Sequence, residues 1–213
     1  MLDVIELRQY TLHPGRRETL IGLFEEAFLE PQEAAGIRVL GQFRDLDDPD
    51  RFVWLRGFPD MAARPAALGS FYGGPVWAEH REAANATMID SDDVLLLRPV
   101  PGAPALPEDG AAAPGPGSSI TATVYRLREE PSAECVNLFA AASTGAVALL
   151  QTEAAPNNFP GLPVREGEHV LVRIDRVSAS GAPVSAAWPD GESVLEGPPR
   201  VLRLEPTDRS LLR

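Results

Sequence analysis

The stretch Val4–Leu12, VIELRQYTL, alternates apolar and polar positions and runs into His13-Pro14-Gly15. Alternation at period two marks a half-buried strand, and Pro-Gly closes it with a turn. The period then changes. Leu20, Leu23, Phe24, Ala27 and Phe28 recur at i, i+3, i+4, i+7 and i+8, one face of an amphipathic helix, with Gly36 placed to end it. Next, residues 37–46 (IRVLGQFRDL) and 51–58 (RFVWLRGF) flank Asp47-Asp48-Pro49-Asp50, which predicts a hairpin with an acidic turn. Asp60 is a candidate cap for a helix starting near Met61. Gly73-Gly74-Pro75 interrupts that helix before a second helical stretch over 76–86, and VLLLRPV (94–100) reads as a closing strand. The order β-α-β-β-α-β predicts a ferredoxin-like unit, an antiparallel four-stranded sheet with both helices on one face.

The same order recurs further along the chain in eroded form. Residues 121–127 match the first strand, 132–142 the first helix, 146–153 with 169–177 the hairpin, and 201–204 the last strand. The counterpart of the second helix falls in 178–199, which Gly181, Pro183, Pro189, Gly191, Gly197 and Pro198 break up. Between the halves, Pro99–Ser119 (PVPGAPALPEDGAAAPGPGSS) has six prolines, four glycines and no apolar periodicity, and predicts an exposed linker. The expected organisation is α+β: a first ferredoxin-like domain over 1–98, a linker over 99–119, and a second domain over 120–213 with a degenerate second helix. The two sheets are expected to pack face to face as an α/β barrel.

Composition excludes several functions. The 213 residues are 44% hydrophobic, enough for a core, and carry 31 acidic against 19 basic residues, every one of the latter arginine, for a formal charge of -12. Such a field repels polyanions, so no nucleic-acid partner is expected. Cys135 is alone, and no CxxC or histidine cluster suggests a metal. No apolar run has the length of a membrane span, and the start Met1-Leu2-Asp3 lacks signal-peptide character, so a cytoplasmic protein without a membrane partner is expected. GxGxxG, phosphate-loop, HExxH and GxSxG signatures are all missing, and no cofactor is expected.

Strand alternation picks the candidate site. Assigning Ile5, Leu7, Val53 and Leu55 to the helix side puts Glu6, Arg8 and Tyr10 of the first strand on the opposite face, with Leu40, Gln42 and Arg44 of the second and Trp54, Arg56 and Phe58 of the third. That face mixes charge with a large apolar patch, which predicts that the second sheet covers it and that the space between the sheets holds ion pairs, water or an anionic ligand. From the second half, Arg173 is aligned with Arg56 and Tyr125 with Tyr10.

Longer blocks resemble a known family. ELRQYTLHPGRR (6–17), GQFRDLDDPDRFVWLRGFPD (41–60), FYGGPVW (71–77) followed by HR (80–81) and AANATMIDSDDVLLLRP (83–99), and APNNFPGLPVREGEHVLV (155–172) are similar to bacterial NIPSNAP proteins. The resemblance spans most of 3–98 and, more weakly, 120–176 and 198–213. It implies a dimeric α/β-barrel fold built from ferredoxin-like units and says little of activity. Animal members are mitochondrial proteins with vesicle and mitophagy roles, which the missing transit peptide does not carry over.

The remaining candidates each have a plain alternative. His80 shares a helix face with Trp77 and Arg81, as a titratable site group or as a contact to the sheet edge. Asp90, Asp92 and Asp93 read as a turn or cap, since a calcium loop needs a glycine and a distal glutamate they lack. Asn157, Asn158 and Phe159, between Pro156 and Pro160, suggest either a lid over the barrel mouth or a rigid connection. Phe71, Tyr72 and Trp77 are candidate anchors for a homo-oligomer. Three functions stay open: binding of an anionic, partly aromatic small molecule between the sheets; a cofactor-independent monooxygenase- or isomerase-like enzyme acting on a polyketide-like or aromatic metabolite; and an assembly protein whose barrel interior is dry.

Overall fold

The computed structural model describes residues 2–107, 119–177, 188 and 194–213. Eight strands close one antiparallel barrel. In the first half β1 (Val4–Leu12), β2 (Arg38–Asp45), β3 (Arg51–Phe58) and β4 (Met88–Pro99) lie in the order β4-β1-β3-β2. In the second, β5 (Ser119–Leu127), β6 (Ala148–Thr152), β7 (His169–Val177) and β8 (Arg200–Pro206) repeat it as β8-β5-β7-β6. Each half donates its second and fourth strands to the seams. β2 pairs with β8 through Arg44↔Glu205, and β4 pairs with β6 through Arg98↔Gln151. Closure leaves no strand edge unpaired, which an isolated four-stranded unit cannot achieve.

Helices cover the outside. The first begins as α1 (Arg17–Leu23), loosens into a π-turn at Phe24–Phe28 and resumes as α2 (Leu29–Ala34). Pro31 has no N–H to give the carbonyl one turn earlier, and the wider π-turn accommodates that break. Gly36, at φ 87°, then ends the helix in a conformation that only glycine adopts freely. α3 (Ala63–Tyr72) and α4 (Pro75–Asn85) follow, with Gly74 and Pro75 setting the start of α4. α5 (Ala133–Ala142), capped by Ser132, lies over the second half against Tyr125 and Trp188.

The alternation in β1 and β3 is as expected, but the faces are exchanged. Ile5, Leu7, Val53 and Leu55 point into the barrel, where they meet Leu95, Leu97, Val124, Val172 and Leu204 in a single apolar cluster. Glu6, Arg8, Tyr10, Trp54 and Arg56 lie beneath the helices instead. The reason is steric. An eight-stranded barrel has an interior just wide enough for side chains to fill, here aliphatic ones and Phe43, whereas the rings and guanidiniums of β1 and β3 occupy the gap between sheet and helices. The expected ligand space between the sheets is therefore filled with hydrocarbon. Leu40, unlike Gln42 and Arg44 of the same expected face, does lie between the sheets, because a register shift between Val39 and Gly41 turns it, with Phe43, into the barrel.

Two further expectations change. The start of the predicted linker is docked: Val100 and Leu106 are buried, and the Pro104 carbonyl accepts from the Leu149 N–H. Leu106 joins the barrel interior because the barrel end otherwise exposes hydrocarbon. Asp90–Asp93 lies within β4, and Asp93 pairs with Arg165 and Arg200 of the second half. The rest of the linker, 108–118, and most of the predicted eroded helix lie outside the described residues. Because seams on both sides join the halves, cutting the chain at a protease site inserted between residues 107 and 119 is expected to leave the two fragments co-eluting in gel filtration. Separate elution in native buffer refutes the two-seam closure.

Candidate functional site

Positions 6, 8 and 10 of β1 project to one face, and register sets Glu6 opposite Arg56 and Arg8 opposite Trp54 on β3. From above, α3 supplies Arg64 on the same helical face as Ala67, Leu68 and Phe71. Three guanidiniums thus converge on one carboxylate. Glu6 Oε2 accepts from Arg8 Nη1 at 2.6 Å and Arg56 Nε at 2.8 Å, while Oε1 accepts from Arg64 Nε at 2.8 Å. All four residues are at most 1% exposed. Arg8 Nε donates to the Tyr10 hydroxyl, and Arg56 Nη1 to that of Tyr72.

One carboxylate against three cations leaves a formal excess of +2 in a buried space. Aromatic faces offset part of it: Arg56 stacks 5.1 Å from the Trp54 ring and 5.6 Å from Phe58, and Arg8 5.5 Å from Tyr10. Each such contact contributes about 0.5 to 2 kcal/mol, depending on desolvation. Burial alone would raise the Glu6 pKa, but Arg56, Arg8 and Arg64 together hold it far below the usual carboxylate range. Burial pushes the Tyr10 phenol up, so it stays protonated. Three buried donors in this layer, Trp54 Nε1, Arg56 Nη2 and Arg64 Nη2, have no hydrogen-bond partner among the described residues, although Arg56 Nη2 stands 2.7 Å from Glu6 Oε2.

Beside the cluster is a cavity of about 40 Å³ walled by Tyr10, Phe24, Phe28, Trp54, Tyr72 and Trp77. The π-turn places both phenylalanines on it.

The predicted residues divide by position. Glu6, Arg8, Tyr10, Trp54 and Arg56 come together. Asn157 and Asn158, from the β6–β7 connection of the second half, reach the same cluster through Arg64 Nη1, which donates to both side-chain carbonyls at 3.0 and 2.9 Å. Phe159 packs into the helix-side core of the first half. The connection thus lies over the helix layer and not over a barrel mouth. His80, half-buried on α4, has its ring 6.2 Å from Phe28, behind the cavity wall.

Three predicted residues lie elsewhere. Gln42 is buried near the C-terminal segment, where its N–H donates to Ser210. Arg44, opposite Phe52 near the far end of β2, pairs with Glu18 of α1. Arg173 bonds Asp175 on the outer face of the second half. Register also revises the alignment of the halves: with Tyr125 at the place of Tyr10, Asp175, across from Thr121, takes the place of Arg56. Phe71, Tyr72 and Trp77, expected as oligomer anchors, pack against one another and Phe28 inside the helix layer.

Sequence reasoning missed Arg64 and Tyr72. The signal for Arg64 was present, a charged residue at the head of the i, i+3, i+4, i+7 apolar stripe Arg64-Ala67-Leu68-Phe71. Cys135 is half-buried on α5, and burial pushes its thiol up, away from a nucleophile's range. Among the described residues no cluster of His, Cys, Asp and Glu has the size of a metal site, and no helix is long and apolar enough to cross a membrane.

Residues 5–104 match the NIPSNAP family model. The half that holds the Glu6 cluster is thus a NIPSNAP domain. Nothing among curated proteins matches the chain. Solved structures resemble it in two ways. Provisionally assigned monooxygenases from Fusobacterium nucleatum and Lactobacillus acidophilus align over the whole barrel: 9% and 11% identity, TM-scores of 0.62 and 0.58, 96% and 97% of this chain, and 92% and 94% of theirs. These establish the shared fold. An uncharacterised NIPSNAP-like protein from Burkholderia xenovorans aligns at 24% identity and a TM-score of 0.45 over 49% of this chain and 91% of its own.

Proposed function

We propose that the protein binds an anionic small molecule with an aromatic body between the sheet and the helices of its NIPSNAP half. One observation carries this reading: a buried cluster of three arginines and one glutamate, with a formal excess of +2, stands beside an aromatic cavity on which the Trp54 indole, without a hydrogen-bond partner among the described residues, also lies. An anion balances that charge, an acceptor satisfies the indole N–H, and a ring suits the walls. The site differs from the one first expected, since the space between the sheets is full. The dry interior therefore no longer argues for an assembly role, because the charged face is not the one lining the barrel.

At about 40 Å³ the cavity admits a water molecule and no aromatic acid. Entry thus requires the wall to move, and α4 is the element suited to it. It buries only Ala84, keeps Trp77 and His80 half-buried, and is joined to α3 through Gly73-Gly74.

The probe is 2-naphthoate, titrated while tryptophan emission is followed, because Trp54 and Trp77 both wall the cavity. Arg56→Met is expected to weaken its binding by about 1.5 to 3 kcal/mol, the range of a hydrogen bond to a charged group. Equal affinity in the two proteins, or no saturable quenching, overturns the reading. Native mass spectrometry of protein purified from its own source then identifies any retained ligand. Oxygen uptake with that ligand tests the enzyme alternative.

A further inference from the structure

A larger concavity lies outside the Glu6 cluster. A cleft of about 460 Å³ runs along the outer face of the β4–β6 seam, within the usual range for small-molecule sites. Its floor is built by register: Arg98 and Gln151 are direct partners across the seam, and both line the cleft. Gln151 is 8% exposed, yet its side-chain amide has no hydrogen-bond partner among the described residues; Arg98 has no ion pair or hydrogen bond among them either. A guanidinium and an amide side by side, both with free donors, suit a carboxylate.

The rest of the lining has the opposite sign. Arg165 is already paired with Glu168 and Asp93. Glu153 and Glu166 each use one oxygen on a backbone N–H, of Ala155 and Asn157 respectively, and Glu130 has no partner among the described residues. Three carboxylates therefore stand over one guanidinium that has no partner among the described residues, with Leu96, Pro131 and Val164 as apolar wall between them.

We propose that this cleft is a second binding site, for a zwitterion of dipeptide size with an apolar side chain. The carboxylate is held by Arg98 and Gln151, and the ammonium faces Glu130, Glu153 and Glu166. A simple anion meets the acidic rim and a simple cation meets Arg98, so the polarity of the cleft selects a molecule carrying both charges. Asn157 lines the cleft and also accepts from Arg64, so an occupant touches the connection that closes the NIPSNAP half.

Glycyl-L-leucine is the probe, titrated by calorimetry into the full chain. Saturable one-to-one binding is expected, weakened about tenfold or more by Arg98→Ala and to a similar degree when the dipeptide carboxylate is amidated or its amine acetylated. Arg98 is exposed, so its replacement leaves the fold intact, and 2-naphthoate binding is expected to be unchanged in that variant. This separates the two sites: loss of naphthoate binding alone leaves the cleft standing. No saturable heat up to about 10 mM dipeptide, which is weaker than about -3 kcal/mol of binding, overturns the proposal. So does binding that is indifferent to Arg98→Ala or to amidation.

Discussion

Glu6→Gln is expected to destabilise the protein by about 3 to 5 kcal/mol, the range for removing one partner of a buried ion pair. The substitution keeps the shape of the side chain and removes the only anion among the described residues that faces Arg8, Arg56 and Arg64, all at most 1% exposed. Three cations are then left to repel one another in a buried space. For a chain of this size the loss corresponds to roughly 10 °C in melting temperature. Removing one of the arginines is a different perturbation. Arg56→Met leaves two guanidiniums on Glu6 and lowers the charge excess, so its cost is expected to be clearly the smaller of the two.

The pH dependence carries the sign. Glu6 has its folded pKa depressed below the ordinary 4.5, so its contribution to stability is complete above that value and declines as pH falls below it toward the folded pKa. The stability gap between wild type and Glu6→Gln is therefore largest near neutral pH and narrows below about pH 4.5. Denaturant titrations of both proteins at several pH values measure it. A gap that is small at pH 7, or one that widens in acid, contradicts the charge assignment at Glu6.

Topology and the shared face of Glu6, Arg8, Trp54 and Arg56 follow from local pattern, because strand alternation and helical periodicity are written into neighbouring residues. VIELRQYTL places Glu6, Arg8 and Tyr10 on one face whichever way that face turns. Which face looks inward is not a local property. Both sets of side chains in β1 and β3 are buried, one by a second sheet and one by helices, so hydrophobicity does not separate them. Size separates them within these two strands: Ile5, Leu7, Val53 and Leu55 are aliphatic, whereas Tyr10, Phe52, Trp54 and Phe58 are rings, and the narrow barrel interior takes mostly the first kind, with Phe43 of β2 its one ring among the described residues. Arg64 was legible as an odd residue on an apolar helix stripe. Its bonds to Asn157 and Asn158 were not, since they join positions 93 and 94 residues apart. The displacement of Arg173 by two positions likewise follows only from the β5–β7 register, because Val-Leu-Val-Arg and Val-Trp-Leu-Arg align equally well with either offset of the partner strand.

The exchange of faces is itself testable at neighbouring residues. Leu55 is 1% exposed inside the barrel, paired with Leu7 on one side and Gly41 on the other. Leu55→Ala is expected to cost about 2 to 5 kcal/mol, from lost transfer energy and the cavity left behind. Leu55→Asn is nearly isosteric with leucine and fills that cavity better, so packing alone ranks it as the milder change. Burial of an amide in hydrocarbon reverses the ranking, because an unsatisfied polar group adds a penalty of about 1 to 3 kcal/mol. The side chains around it are those of Leu7, Leu40, Leu95 and their neighbours, none of which accepts or donates a hydrogen bond. Asn is therefore expected to be the less stable variant, with the two midpoints compared in urea at matched slope. If the space between the sheets held water or ion pairs, as the mixed face first suggested, the amide would find partners and Asn would equal or exceed Ala. That order of stability would return the charged residues to the barrel interior and remove the helix-side site on which the ligand proposal depends.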